Sequence, residues 1–189
     1  MQTQQAFKLE TKLLAPEKEI HIDKDWVIEG YASVFSQTDQ GGDIVQKGAF
    51  GKSLNSLAQK KQSVKMLWQH DQSQPIGVWD DVIEDNNGLF VRGRLLPSVK
   101  KAQEAAELIK AGALDGLSIG YKTIKSSKSS DGNRLLIELD LWEVSLVTFP
   151  MLDSARVLAK SNQLSLRSSL SDLADLMRQT ASTLNNLGV

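Results

Sequence analysis

The sequence predicts a mainly β fold of the α+β class, in which an antiparallel sheet closes into a β-barrel ringed by a few helices. Segments rich in β-branched and aromatic residues recur between turn signals, and only two helical patterns interrupt them. The chain has 189 residues. This length favours one domain of roughly 150 residues plus a tail over two large domains.

The first half of the chain begins with a strand at residues 26–35, followed by a turn-prone segment at 37–42. Residues 47–61 place apolar side chains at helical spacing, which predicts a short amphipathic helix. Residues 64–70 read as a further strand that ends in a polar cluster.

A hairpin follows, because the strand-like segments 76–84 and 89–96 are separated by Asn86-Asn87-Gly88. Residues 98–112 open with a serine N-cap candidate and close on a glycine, and Ala102, Ala105, Ala106 and Ile109 share one face. This pattern predicts the second helix, with that face turned to the core.

Two long strands are expected at 117–125 and 134–148. The loop between them, 126–133, combines Ser, Lys, Asp and Gly, and we expect it to be mobile and exposed. From about residue 160 the chain is rich in Ser, Asn and Gln, and its leucines recur at helical spacing, which predicts a polar linker and an amphipathic helix.

These features divide the chain into three regions. We expect an N-terminal extension at 1–25, a barrel domain at 26–158, and a polar linker with a helical tail at 159–189.

Composition excludes several chemistries. The chain has no cysteine and only two histidines, so thiolate metal sites, a cysteine nucleophile and a multi-histidine zinc site are ruled out. The formal net charge of −1 gives no field to attract a phosphate backbone. No signal-peptide pattern or membrane-length apolar run is present. We therefore expect a cytosolic protein with no cofactor, metal, nucleic-acid or membrane partner.

Strand alternation draws attention to three places. His70 terminates an apolar stripe on the strand at 64–70, and Glu143 follows three aliphatic residues on one face of the last strand. A buried carboxylate of this kind needs a partner. Ser118 and Gly120 share a face of the strand at 117–125, which leaves room for a substrate backbone beside the hydroxyl.

Each of these residues also has a structural explanation. A lone histidine at a strand end is more often a packing residue than a catalyst, and strand serines are seldom nucleophiles. Periodicity alone therefore leaves a β-rich domain without an assigned function.

Ordered motifs narrow these alternatives. The sequence resembles the prohead (capsid maturation) proteases of tailed bacteriophages of the HK97 type from about residue 26 to 158. The resemblance rests on GYASVF at 30–35, DIV at 43–45 with GAF at 48–50, LWQHD at 67–71 with PIG at 75–77, GLSIGY at 116–121, and EVSLVT at 143–148 with Pro150.

The resemblance implies a serine endopeptidase related in fold to the herpesvirus assemblins. It assigns Ser118 as the nucleophile, His70 as the general base and Glu143 as the orienting acid. By the same analogy, Arg156 contributes to the oxyanion hole through a held water.

Two rival site interpretations remain. Asp71 is next to His70 and could orient the imidazole, although neighbours on a continuing strand point to opposite faces. A metal site would need Asp39, Asp43, Asp71 and Glu143 to converge, with at most one imidazole. We favour Glu143 as the third residue and no metal.

The resemblance also implies substrates and partners. We expect cleavage of scaffold, or of the scaffold-like segment of the major capsid protein, and cleavage of the chain itself, inside the procapsid in the host cytoplasm. A homodimer through the tail is a further expectation. The main alternative is a non-catalytic assembly or scaffolding factor that acts through the C-terminal helix; another is a cellular peptidase from an integrated prophage.

Overall fold

A computed structural model describes residues 26–157. Seven strands and two helices lie in this range, and every helix and strand expected there is present. In chain order they are β1 (Val27–Val34), β2 (Asp43–Val45), α1 (Gly51–Gln59), β3 (Lys65–Trp68), β4 (Asp71–Glu84), β5 (Gly88–Leu95), α2 (Lys100–Lys110), β6 (Gly116–Lys128) and β7 (Arg134–Val147). The short strand β2 was not expected, and β4 begins five residues before the expected strand.

All seven strands form one curled sheet in the order β1-β5-β4-β3-β7-β2, with β6 paired to β7. Four pairs are antiparallel: β1–β5, β5–β4, β4–β3 and β6–β7. The expectation of an antiparallel barrel is wrong for β2 and β3, which run parallel to β7.

One edge of β7 serves the two parallel strands. β6 occupies one edge of β7 along its length, so β2 and β3 share the other. β2 pairs with residues 134–136 and β3 with residues 143–146, and α1 connects them. The chain thus continues in the same direction along β7, which brings β3 beside Glu143.

The sheet is an open half-barrel, and the expected closed barrel is not formed by the ladders within residues 26–157. Residues 155–157 lie between β1 and β6 and make only single bridges, Gly30 to Val157 and Gly116 to Arg156. A Cβ on Gly30 would lie 2.2 Å from the Arg156 carbonyl oxygen, so the bridging segment needs a glycine there.

The core consists mainly of aliphatic side chains, and both helices pack residues into or against it. The four residues expected on one face of α2, Ala102, Ala105, Ala106 and Ile109, are all buried. Phe50, which precedes α1, is fully buried. Burial of a side chain of this size contributes about 1.5–3 kcal/mol.

The hairpin between β6 and β7 is longer than expected, because β6 continues to Lys128. The connection reduces to residues 129–133, closed by a hydrogen bond from the Ser129 amide to the Asn133 carbonyl. The expected N-terminal extension and the expected C-terminal helix lie outside the described residues. Neither helix between residues 26 and 157 has the length and apolar character of a membrane span.

Candidate active site

His70 lies in a tight turn between β3 and β4. β3 ends at Trp68, so the expectation that His70 continues the face of that strand is wrong. Gln69 and His70 have φ angles of 52° and 61°, a left-handed conformation that costs a non-glycine residue on the order of 1 kcal/mol or more. Surrounding contacts must therefore hold this turn.

Hydrogen bonds to β7 and to the residue after it hold the turn. The Gln69 amide donates to the Leu146 carbonyl at 3.0 Å, and its side-chain Nε2 donates to Thr148 Oγ1 at 2.8 Å. The His70 amide donates to Ser145 Oγ at 3.1 Å. These contacts offset the backbone strain and fix the direction of the imidazole.

The imidazole of His70 joins a hydroxyl to a carboxylate. Its Nε2 lies 2.9 Å from Ser118 Oγ, and its Nδ1 lies 2.6 Å from Glu143 Oε1. An ionised carboxylate can only accept, so Nδ1 carries the proton. In the neutral ring Nε2 is then an acceptor, and the Ser118 hydroxyl donates to it.

The three hydrogen-bonded residues differ in how deeply they are buried. Glu143 and Ser118 are buried, whereas 43% of the His70 side chain is exposed. Glu143 keeps both carboxylate oxygens occupied, because Ser145 Oγ donates to Oε2 at 2.6 Å while His70 binds Oε1. A buried carboxylate satisfied in this way avoids the cost of an unpaired charge.

The register of β6 and β7 brings these residues together. Ser118 faces Ser145 and Gly120 faces Glu143 across the antiparallel ladder. A Cβ on Gly120 would lie 1.9 Å from Glu143 Oε1. The space at Gly120, expected to admit a substrate backbone, is therefore filled by the Glu143 carboxylate.

Asp71 does not bond to the imidazole. Its carboxylate accepts hydrogen bonds from the Ser73 hydroxyl and amide and from Gln74 Nε2. The bonds from Ser73 hold the pKa of the Asp71 carboxyl below its ordinary value. Asp71 thus stabilises its own turn.

The described hydrogen bonds of the Arg156 side chain are made to residues other than Ser118. Its guanidinium pairs with Asp115 and donates from Nε to the Asp153 carbonyl at 2.9 Å. Arg156 pairs in a bridge with Gly116, two residues before Ser118. An oxyanion role for Arg156 stays a prediction.

The carboxylates of the alternative metal site are dispersed. Asp43 forms a two-pronged ion pair with Arg134, and Asp39 accepts the backbone amides of residues 41 and 43. No cluster of three or more potential metal ligands occurs among residues 26–157.

Burial, reinforced by the charge of Asp43, raises the pKa of Tyr121 to about 12, so this phenol stays protonated.

A cavity of about 110 Å³ opens beside Ser118. It lies where β1 and β6 separate, and residues 151–152 contribute to its wall. Val34, Val45, Leu117 and Leu152 provide apolar surface, and Asp39 and Asp43 provide polar groups. Ser118 is thus one of the residues that line this space.

The sequence patterns assign no role to Ser145, which lies within the EVSLVT motif, and do not reveal the Gln69–Thr148 contact. Alternation on β7 contained a signal, because Ser145 shares a face with Glu143 and is a polar residue in an aliphatic run. Its two hydrogen-bond partners depend on the position of the His70 turn, which alternation does not reveal.

A serine hydroxyl, an imidazole and a buried carboxylate, hydrogen-bonded in that order on an open half-barrel, form the type of site found in serine proteases. The chain belongs to the Caudovirus prohead serine protease family, whose sequence model matches residues 12–168.

Individual relatives agree with this family. The chain is 36% identical over 139 residues to the prohead protease of Enterobacteria phage HK97, covering 72% of this chain and 60% of that protein. It is 33% identical over 160 residues to the capsid polyprotein of Pseudomonas phage PAJU2, covering 79% of this chain and 21% of that protein. The chain thus spans less than two thirds of either relative.

The fold is similar to that of the bacteriophage T4 capsid assembly protease. The TM-score is 0.54 at 19% sequence identity, with 66% of this chain and 82% of that chain covered. This likeness supports the half-barrel architecture.

Proposed function

We propose that the chain is a serine endopeptidase in which Ser118 is the nucleophile, His70 the general base and Glu143 the orienting acid. The observation that carries the proposal is the continuous hydrogen-bonded path from Ser118 Oγ through both imidazole nitrogens to Glu143. A serine hydroxyl becomes an effective nucleophile only when a neighbouring base accepts its proton.

In the first half of the reaction, Ser118 Oγ attacks the carbonyl carbon of the scissile peptide bond and its proton passes to His70 Nε2. The resulting tetrahedral intermediate collapses as the carbon–nitrogen bond breaks. His70 Nε2 returns the proton to the leaving amine, and the substrate's acyl group remains as an ester on Ser118.

In the second half, a water molecule replaces the amine. Its proton passes to His70 Nε2 while its oxygen attacks the ester carbon, and the departing Ser118 oxygen then recovers a proton from the imidazolium. Throughout, the ionised Glu143 accepts a hydrogen bond from Nδ1–H, which keeps Nε2 directed at Ser118 and stabilises the positive ring.

The proposed substrates are proteins of capsid assembly. One relative is named a prohead protease and another a capsid polyprotein, and the family is one of prohead proteases. We place the reaction inside the procapsid in the host cytoplasm, with the major capsid protein or its scaffold-like segment as substrate. Cleavage of the chain itself and homodimer formation belong to the same proposal.

Co-expression with the capsid protein of the same phage, followed by intact-mass analysis of both chains, tests this function. Wild-type chain should shorten the capsid protein, and Ser118→Ala and His70→Ala should each lower the cleavage rate by about 10⁴-fold or more. Ser126→Ala is a matched control, because Ser126 lies on the same strand but is exposed. Unchanged cleavage by Ser118→Ala would refute the assignment, and a wild-type chain that leaves the capsid protein uncut would favour a scaffolding role.

A further inference from the structure

Ser145 is a buried serine on β7 with a relative exposure of 0%. Its hydroxyl takes part in two hydrogen bonds at once. It accepts the backbone amide of His70 at 3.1 Å and donates to Glu143 Oε2 at 2.6 Å. One oxygen atom therefore contacts both the residue that carries the imidazole and the carboxylate that orients it.

This arrangement links Glu143 to a residue that lies just beyond the end of the β3–β7 ladder. His70 lies in the left-handed turn after β3, while Glu143 projects from β7. Because Glu143 and Ser145 are two residues apart on one strand, their side chains lie on the same face. The serine hydroxyl is thus held beside the carboxylate by the strand itself, and the turn is held by the hydroxyl.

Removal of the hydroxyl would affect both partners. The His70 amide would lose its only acceptor described in the structure, and Glu143 Oε2 would lose its donor. The carboxylate could then rotate away from Nδ1, and the turn could relax from its strained φ angles. The hydrogen bond between Gln69 and Thr148 would still hold the residue before His70, so we expect the fold to survive.

We propose that Ser145 is a positioning residue that sets the geometry between His70 and Glu143, an inference that rests on the proposed function. Its described side-chain hydrogen bonds go to His70 and Glu143 and not to Ser118, so it acts through these two partners. Displacement of a catalytic group by about 1 Å can cost on the order of 100-fold in rate.

Ser53 provides a matched control. It too is a buried serine whose hydroxyl accepts a β7 backbone amide, that of Leu141 at 2.9 Å, and lies 3.4 Å from the carboxylate of Asp140. Ser53 thus reproduces the contacts of Ser145 without touching His70, Ser118 or Glu143. Any effect of losing a buried hydroxyl in general should appear equally in Ser53→Ala.

The first test measures covalent labelling of Ser118 by a fluorophosphonate, which requires an activated serine but no knowledge of the substrate. We expect Ser145→Ala to lower the labelling rate constant about 10- to 100-fold and Ser53→Ala to leave it unchanged. Ser145→Cys, which retains a weak donor of similar size, should give an intermediate rate. Equal rates for wild type and Ser145→Ala would overturn the role of Ser145.

The second test reports on His70 directly. The chain has only two histidines, so ¹⁵N-histidine labelling yields few signals, and His21→Gln assigns them. The wild-type ring should show a downfield Nδ1 proton, and that signal should disappear in Ser145→Ala while persisting in Ser53→Ala. Persistence of the signal in both variants would contradict the proposal.

Wild-type chain alone supplies a measurement that does not depend on a variant folding. The backbone amide of His70 should exchange with solvent roughly 100-fold more slowly than an unstructured amide, because Ser145 accepts it. Exchange at the unstructured rate would overturn the proposed contact. Failure of wild-type Ser118 to label would instead refute the proposed function, so the two failures are distinguishable.

Discussion

Gly120 and Glu143 face each other across the β6–β7 ladder, and a Cβ at position 120 would lie 1.9 Å from Glu143 Oε1. The absence of a side chain at Gly120 therefore leaves the room that the Glu143 carboxylate occupies. This contact carries a direct consequence for the proposed activity, because the same oxygen lies 2.6 Å from His70 Nδ1 and accepts its hydrogen bond.

Gly120→Ala should displace the Glu143 carboxylate and lower the rate of fluorophosphonate labelling by about 100-fold. Gly51→Ala is the matched control, because a Cβ there would meet only Glu84 Oε2 at 3.8 Å, an ordinary contact. Circular dichroism of both variants would establish that they fold. A Gly120→Ala chain that labels at the wild-type rate would show that Glu143 has another position available.

Glu143→Gln and Asp71→Asn should differ sharply in severity. The amide of Gln retains the shape of Glu143 but loses the charge that stabilises the imidazolium, so labelling should fall by roughly 10² to 10⁴ without vanishing. Asp71→Asn should stay close to wild type, because the Asp71 carboxylate accepts hydrogen bonds only from Ser73 and Gln74 in the described structure. The opposite order in measured rates would transfer the orienting role to Asp71.

Tyr121 should make the free energy of unfolding depend on pH in the alkaline range. Burial and the charge of Asp43 raise its pKa to about 12 in the folded chain, whereas a tyrosine in the unfolded chain ionises near pH ~10. Between these values the unfolded state binds fewer protons, so the free energy of unfolding should fall as pH rises.

Tyr121→Phe removes this contribution. Urea unfolding between about pH 9.5 and 11.5 should therefore give a flatter pH dependence for the variant than for wild type. Absorbance titration of wild type should show the ionisation of one of its two tyrosines delayed to about pH 12. Parallel pH profiles for the two chains would mean that Tyr121 titrates as a solvated phenol.

The cavity beside Ser118 should select substrates. Val34 lines this cavity, so Val34→Phe should fill part of it and raise KM for capsid-protein cleavage by about tenfold. Labelling by a small fluorophosphonate should change little. Val78→Phe, on an exposed face of β4, is the control for adding a ring to a strand. Equal loss of cleavage and labelling in Val34→Phe would point to distortion of Ser118 instead.

Local patterns in the sequence were sufficient for much of the fold. Helix α2 and its four buried residues follow from helical spacing, and the β4–β5 hairpin follows from its turn residues, because both signals act over a few positions. Residue types and ordered motifs also predicted which serine, histidine and glutamate to examine.

Only the tertiary structure decided how those residues meet. β3 lies parallel to β7, and this places the turn of His70 against Ser145. Gly120 accommodates the Glu143 carboxylate rather than substrate because the ladder sets them opposite each other. Such contacts join positions far apart in the chain, and the alternation of a strand specifies its faces but neither its neighbour nor its register.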